Sequence, residues 1–173
     1  QVSQRPVLVL YSRAACEPCA EAREALQWAL EDRATAGEVV PVVREAVRLG
    51  GPVSVDTYKP EVMRAVLDLG ADIINDIWAL RQAGAADVVA SHPACGVCLM
   101  HMHREPQTMQ ADPMQGDVVP QVLDFLAHAA SGLRGRGVAA ERIVVDPGIG
   151  FGKTVAQNFS LLARQRELLA IRG

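Results

Sequence analysis

Short apolar runs alternate with amphipathic segments along most of the chain. Runs typical of buried strands cover residues 6–12, 53–55, 72–74, 97–102 and 143–145. We predict that the last of these is buried on both faces of a sheet, because it carries only apolar side chains. No hairpin signal separates any two runs. The repeated strand–helix order predicts about five parallel strands joined by right-handed crossovers.

The segments between the strands carry the start and stop signals of helices. Pro60 and Pro120 stand at predicted helix starts, where a missing backbone N–H does no harm. Gly50 and Gly135 follow the last apolar residues of two helical segments and predict their ends. The predicted helices cover about residues 20–33, 38–49, 60–69, 85–90, 120–134 and 158–170.

Length and composition narrow the fold and the partners. The chain has 173 residues, is 50% hydrophobic and carries a net charge of −3, which suits one globular domain and gives no sign of a nucleic-acid or membrane partner. No signal peptide or membrane span is visible, so we expect a cytoplasmic protein. A complete eight-stranded barrel needs about 250 residues. We therefore predict an α/β fold, a parallel sheet or part of a β/α barrel, whose open edges favour self-association, for instance as a homodimer.

The most informative stretch is R-I-V-V-D-P-G-I-G-F-G-K-T at residues 142–154, where a strand ends in Asp146 and a loop follows with Gly148, Gly150 and Gly152. A Walker A loop would need a glycine where proline stands, and a dinucleotide fingerprint would need one where lysine stands. Glycines allow the backbone to approach a ligand closely. An aspartate beside such a loop suits a ligand that donates hydrogen bonds, such as an amino-heterocycle.

Two further polar residues end predicted strands. Asp56 and Asn75 follow their apolar runs as Asp146 does, and the carboxyl ends of parallel strands meet at one rim of a sheet or barrel. Each residue alone is more simply explained as a helix N-cap. Together, two carboxylates and an amide match the N–H and C=O edge of such a heterocycle.

Four motifs carry a resemblance to a known family. They are D-P-G-I-G-F-G-K at residues 146–153, V-S-V-D-T-Y-K-P at residues 53–60, A-D-I-I-N-D-I at residues 71–77 and C-L-M-H-M at residues 98–102. Their sequences and their order resemble those of dihydropteroate synthases. The resemblance covers residues 38–173, about four-fifths of the chain.

For a chain of this length, the resemblance implies a partial TIM-type β/α barrel with about five parallel strands. It also implies a transferase of folate biosynthesis that sulfonamides target. Such enzymes condense 6-hydroxymethyl-7,8-dihydropterin diphosphate with p-aminobenzoate to 7,8-dihydropteroate, with Mg²⁺ as cofactor. Asp56 and Asp146 are implied as the catalytic residues. The positions that match the family's pterin-binding residues are Asp56, Asn75, Met100, Asp146, Gly150 and Phe151.

Several of the family's motifs have no match in this sequence. These are the asparagine that binds magnesium after the first strand, the Thr-Arg loop after the second, the later Ser-Arg-Lys and the final Arg-x-His. Lys153 does not correspond to the family's catalytic lysine. We therefore expect the half of the site that holds the pterin and not the half that holds the diphosphate, and we expect little turnover from this chain by itself.

The first 34 residues resemble a different family. A predicted strand, Cys16-Glu-Pro-Cys19 and a predicted helix follow each other as at the start of a glutaredoxin-like domain, where the first cysteine is the nucleophile. The later strands of that fold do not follow, so a structural βα unit with two reduced thiols is the competing interpretation. We place residues 1–34 and 38–173 in a single domain, with the change of resemblance at residues 34–38.

A zinc site is a weaker alternative. His101 and His103 alternate on a predicted strand and point the same way, and Cys95 and Cys98 lie just before them. Cys98 falls inside an apolar strand, however, so buried thiols and histidines at a strand end are the simpler interpretation.

Overall fold

The computed structural model describes residues 36–104, 108–109 and 111–171, and all statements about the fold refer to them. The predicted strand at residues 6–12 and both Cys16 and Cys19 lie outside this part. Four parallel strands form one sheet: β1 (Ser54–Asp56), β2 (Ile73–Asp76), β3 (Gly96–Met100) and β4 (Ile143–Asp146).

The strands lie in chain order, so each crossover returns the chain to the next position in the sheet. The order is β1-β2-β3-β4 and every neighbouring pair is parallel. All four predicted strands within the described residues are therefore confirmed, as is the α/β class. β1 and β4 are the two edges of this sheet, and each has a strand neighbour on one side only within the described residues.

The connections are mostly helical. The helices are α1 (Ala36–Arg48), α2 (Pro60–Asp68), α3 (Ala85–Ser91), α4 (Val118–Arg134) and α5 (Val155–Ala163), with 3₁₀ turns at Ala140–Arg142 and Gln165–Ile171. Pro60 begins α2 as predicted, whereas α4 begins two residues before Pro120 because the Asp117 side chain caps it by accepting from the Val119 N–H. None of the helices in the described ranges is long and apolar enough to cross a membrane.

The last helix differs from its prediction at both ends. It begins at Val155 rather than Asn158, because Thr154 and Gln157 form a capping box at its start. It ends at Ala163, and the chain continues as the 3₁₀ turn Gln165–Ile171. That turn is tied to α4 by a hydrogen bond of 3.4 Å from the Arg134 guanidinium to the Ile171 carbonyl.

The core lies on one face of the sheet. Val55, Ile74, Val97 and Leu99 alternate along the strands and are buried under the helices. The opposite face, called the open face below, carries Asp56, Asn75, Cys98, Met100 and Asp146. Ile73 and Val144 on this face are exposed, whereas Met100 is buried. The boundary between the faces follows from the period of two in a strand.

β4 contradicts the prediction that its strand is buried on both faces. Val144 belongs to the open face and is 60% exposed, while Ile143 and Val145 on the other face are half-buried. The reason is the face to which Val144 points, since Ile73 of the internal strand β2 is exposed on the same face. An all-apolar run identifies a strand but does not show how many layers cover it.

Candidate functional site

Asp56 and Asn75 lie side by side at the carboxyl ends of β1 and β2. They are partners in the parallel register, and the Asn75 Nδ2 donates a hydrogen bond to Asp56 Oδ2 at 3.0 Å. Burial raises the pKa of Asp56 to about 6, the bond from Asn75 lowers it, and the charge of Asp76 raises it. The pair thus offers an amide oxygen beside a carboxyl group that titrates near neutral pH.

Asp146 lies across β3 from this pair, at the carboxyl end of β4. Its register partner is Met100, so both side chains lie on the open face of the sheet. The Asp146 carboxylate accepts a hydrogen bond of 2.7 Å from the Gly148 N–H, which orients it at the start of the glycine loop, residues 147–153. Met100 is buried in a small methionine cluster against which Phe151 packs.

Cys98 lies between these two groups and was not predicted as part of the site. It is the register partner of Asn75 and stands two residues before Met100 on the same face. Burial, together with the smaller effect of the charges of Asp146 and Asp56, raises the pKa of Cys98 to about 12. The thiol is therefore neutral, and it lies between the carboxylates of Asp56 and Asp146 on this face of the sheet. The sequence does contain a signal for this position, because residues two apart in a strand, such as Cys98 and Met100, point to the same face.

Asp76 points to the other face and shapes the turn after β2. It is fully buried, and its carboxylate accepts from the Trp78 N–H at 2.7 Å and the Leu80 N–H at 2.9 Å. Burial raises its pKa to about 6 against the lowering effect of those bonds. Ala79 and Leu80 have φ of 50° and 60°, a region costly for residues with a side chain. Asp76 therefore holds a strained turn at the rim.

Aromatic side chains line the rim after β1 and β2. Tyr58 stacks on Trp78 with ring centroids 5.1 Å apart, and the Arg81 guanidinium lies 5.7 Å from the Trp78 ring and 5.6 Å from the Phe125 ring. Trp78 also packs against the methionine cluster that contains Met100. The rim therefore provides a flat apolar surface next to the polar pair Asp56–Asn75, suited to a planar ligand.

The glycines of the loop serve different purposes. A Cβ on Gly148 would overlap the His101 carbonyl oxygen, and one on Gly152 would lie 2.7 Å from the His103 Cβ. These two glycines let the loop approach the end of β3, rather than the ligand approach that the sequence suggested. A Cβ on Gly150 would meet no heavy atom within 4 Å, and the Gly150 N–H donates to the Asn158 side-chain oxygen at 2.9 Å.

The thiols and histidines that suggested a zinc site do not come together in the part of the chain that the structure describes. No group of three His, Cys, Asp or Glu side chains there could hold a metal ion. Cys95 is buried with its Sγ 3.0 Å from the Gly96 carbonyl, on the face opposite Cys98. His101 is also buried, and burial lowers its pKa to about 3.

Comparison with known proteins places this geometry in a family. A sequence profile described as pterin binding enzyme matches residues 27–173. The dihydropteroate synthase of Escherichia coli is 44% identical over 130 residues, which is 75% of this chain and 46% of the relative.

Two solved structures support the same relationship. A Burkholderia cenocepacia dihydropteroate synthase complexed with 7,8-dihydropteroate has a TM-score of 0.70 at 55% identity, over 76% of this chain and 48% of that one. A Yersinia pestis dihydropteroate synthase in a sulfonamide complex has a TM-score of 0.76 at 37% identity, over 82% and 51%.

These matches also bear on the extent and the organisation of the chain. The chain spans about half the length of the curated relatives that it matches. The profile begins at residue 27, within the segment that resembled a glutaredoxin, so that second resemblance has no support from it. Because the profile covers most of the sequence, the chain belongs to the pterin binding enzyme family.

Proposed function

We propose that this chain forms the pterin-holding part of a dihydropteroate synthase site. The reaction is the condensation of 6-hydroxymethyl-7,8-dihydropterin diphosphate with p-aminobenzoate to 7,8-dihydropteroate. The observation that carries the proposal is the placement of Asp56, Asn75 and Asp146 on one open face around Cys98. The relatives named above are dihydropteroate synthases, and one of them holds 7,8-dihydropteroate.

The proposed contacts follow from donor and acceptor chemistry. Asp146 accepts from the 2-amino and ring N–H groups of the pterin, and Asn75 and Asp56 contact the remainder of the ring edge. Phe151 and Met100 provide apolar surface for the faces of the ring. Gly150 is exposed and leaves space for the ligand at the entrance of the proposed site. Positive charge develops on the pterin methylene as the diphosphate leaves, and the carboxylates Asp56 and Asp146 stabilise it.

Calorimetric titration with 6-hydroxymethyl-7,8-dihydropterin tests the proposal. Asp146→Asn replaces an ionised acceptor by a mixed donor and acceptor while the Gly148 N–H keeps an oxygen partner. We expect a loss of about 2–4 kcal/mol of binding free energy, since buried donors of the ligand lose a charged partner. Asp124→Asn, on the exposed face of α4, is the matched control and should leave the affinity unchanged. Equal affinity of the two variants would refute the assignment of Asp146.

Other expectations from the family extend the same proposal. The diphosphate and Mg²⁺ need cationic and metal-binding groups, for which the sequence has no matching motif, so we expect their ligands outside residues 36–171. A homodimer and a cytoplasmic location stay predictions, to be tested by sedimentation and by fractionation.

A second candidate function concerns Cys16 and Cys19, which lie outside the described residues. A glutaredoxin-like dithiol would reduce a small disulfide substrate through Cys16 as nucleophile. We expect no such turnover, because the remainder of a thioredoxin-type fold has no counterpart in the sequence. Turnover of a small disulfide that disappears in Cys16→Ser would establish the redox function instead.

A further inference from the structure

The buried side chain of Lys153 binds backbone carbonyls of the glycine loop. It is only 4% exposed, and its Nζ lies 2.9 Å from the Gly148 carbonyl, 3.0 Å from the Phe151 carbonyl and 3.3 Å from the His101 carbonyl. An ammonium group has three N–H donors, so the three carbonyls account for all of them. Two acceptors belong to the loop and the third belongs to the end of β3.

The buried ammonium is held by carbonyl dipoles rather than by a salt bridge. None of the ion pairs among the described residues includes Lys153. Burial lowers its pKa to about 8, and the charge of Asp146 raises it. His101, which directly follows β3, has its pKa lowered to about 3 by burial, by Lys153 and by the charges of Arg81 and His103. At neutral pH the lysine is therefore charged and the histidine is neutral.

The loop that Lys153 ties down carries the proposed ligand contacts. Asp146 immediately precedes it and is fixed by the Gly148 N–H, and the Phe151 N–H donates to the Gly148 carbonyl at 3.1 Å. The same Gly148 carbonyl accepts from Lys153. A single cation thus connects the backbone next to Asp146, the backbone of Phe151 and the end of β3. We therefore expect a change in its bonding to move both proposed ligand contacts together.

We propose that Lys153 is the positioning residue of the pterin site, whose ammonium orders the glycine loop and thereby aims Asp146 and Phe151 at the ring. The inference rests on the proposed function, because it names what orients the groups assigned there to the pterin. It differs from a purely structural role in one respect. If the ordered loop is the form that binds, ligand binding and lysine protonation must favour each other reciprocally.

The number of lysines makes that reciprocity measurable. The sequence contains only Lys59 and Lys153, so a chain labelled with ¹³C at the lysine ε-carbon gives two lysine resonances, assigned with Lys59→Arg. We expect uncharged 6-hydroxymethyl-7,8-dihydropterin to raise the pKa of Lys153 relative to the free chain. A lysine that only supports the fold would titrate identically with and without the ligand, and that result would overturn the inference.

Variants provide the second readout. Lys153→Met removes all three donors at similar length, and Lys153→Arg keeps the charge. By analogy with outer groups that orient metal ligands, we expect Lys153→Met to weaken dihydropterin binding about 10–100-fold and Lys153→Arg to restore part of it. Arg44→Met removes an exposed cation from α1 and is the control. Unchanged affinity in a folded Lys153→Met variant would contradict the inference.

Amide hydrogen exchange separates this inference from the function on which it rests. Faster exchange at Phe151 in Lys153→Met, with no change in α2, would support ordering of the loop by the ammonium; unchanged exchange would refute it. If the unaltered chain bound no dihydropterin, the proposed function would fail, and so would the part of the inference that concerns the ligand. Amide exchange would still decide whether Lys153 orders the glycine loop. If Lys153→Met did not fold, Lys153→Arg and the titration of the unaltered chain would decide.

Discussion

At Asp56, burial and a hydrogen bond act in opposite directions on one carboxyl group. Burial raises its pKa to about 6 although the amide of Asn75 stabilises the ionised form. The proposed contact needs the ionised form, because a protonated carboxyl accepts less well from a ring N–H. Protonation of Asp56 should therefore compete with binding of the pterin.

This competition predicts a pH dependence of pterin affinity. The free chain must lose a proton from Asp56 before binding, so affinity rises with pH and levels off above the pKa of about 6. At pH 5, one unit below that value, about a tenth of the chains carry the ionised form, and affinity should be about tenfold below its plateau. Calorimetry from pH 5 to pH 8 measures this. Asp56→Asn should bind more weakly at the plateau and lack the rise, and a rise that persists in this variant would assign it to another group.

The carboxylate of Asp76 supports the fold, because it holds the turn after β2. Asp76→Ala would leave the N–H groups of Trp78 and Leu80 without their acceptor in a turn that already has strained φ angles. We expect the free energy of unfolding in urea to fall by about 2–4 kcal/mol. Asp68→Ala, at an exposed position of α2, should change it by less than about 0.5 kcal/mol. Similar values for the two variants would show that the turn does not depend on Asp76.

At the scale of elements, the positions in the glycine loop require glycine for two different reasons. Gly148 and Gly150 both have positive φ, 66° and 87°, which penalises a side chain by about 1–2 kcal/mol. Gly148 in addition faces the His101 carbonyl, whereas Gly150 faces open space. Gly148→Ala should therefore destabilise the chain clearly more than Gly150→Ala in thermal unfolding. Equal losses would mean that the loop can move away from β3 at little cost.

The strands and the polar ends of β1, β2 and β4 could be predicted because both signals are local. An apolar run stops at Asp56, at Asn75 and at Asp146, and parallel strands bring such ends to one rim. The hydrogen bond between Asp56 and Asn75 then follows from a register in which the two residues are partners. Pro60 was likewise sufficient to locate the start of α2.

Other features depend on contacts between distant parts of the chain. Lys153 donates to the carbonyl of His101, which lies 52 positions earlier, and nothing in F-G-K indicates that contact. The exposure of Val144 depends on which face of the sheet the helices cover. The start of α5 was missed for a different reason, since the capping box of Thr154 and Gln157 is readable from the sequence.

At the scale of the whole molecule, the two faces of the sheet have different roles. The helices cover the face of Val55, Ile74 and Leu99 and give the chain its core. The other face holds polar groups at the carboxyl ends of the strands, next to exposed apolar positions such as Val144 and Ile73. In the solved relatives, this chain matches about half of each structure. All of the proposed pterin contacts lie on β1 to β4 and the loops that follow these strands.

Binding and catalysis should therefore separate in this polypeptide. Its 173 residues lack matches to the magnesium asparagine, the Thr-Arg loop, the Ser-Arg-Lys and the Arg-x-His of the resembled family. Each such donor would stabilise charge on the departing diphosphate, and the loss of one typically costs about 10²–10³ in rate. We expect measurable binding of dihydropterin but condensation slower than that of the Escherichia coli relative by at least about that factor.

A coupled assay with dihydropterin diphosphate, p-aminobenzoate and Mg²⁺ on the purified 173-residue polypeptide measures the rate. Asp146→Ala and the exposed control Asp124→Ala distinguish turnover at this site from contamination. Product formed at the rate of the relative, and lost only in Asp146→Ala, would contradict the prediction. Groups that stabilise the diphosphate would then have to come from residues of this chain with no resemblance to the family's motifs, or from a second copy, and the concentration dependence of the rate would tell these apart.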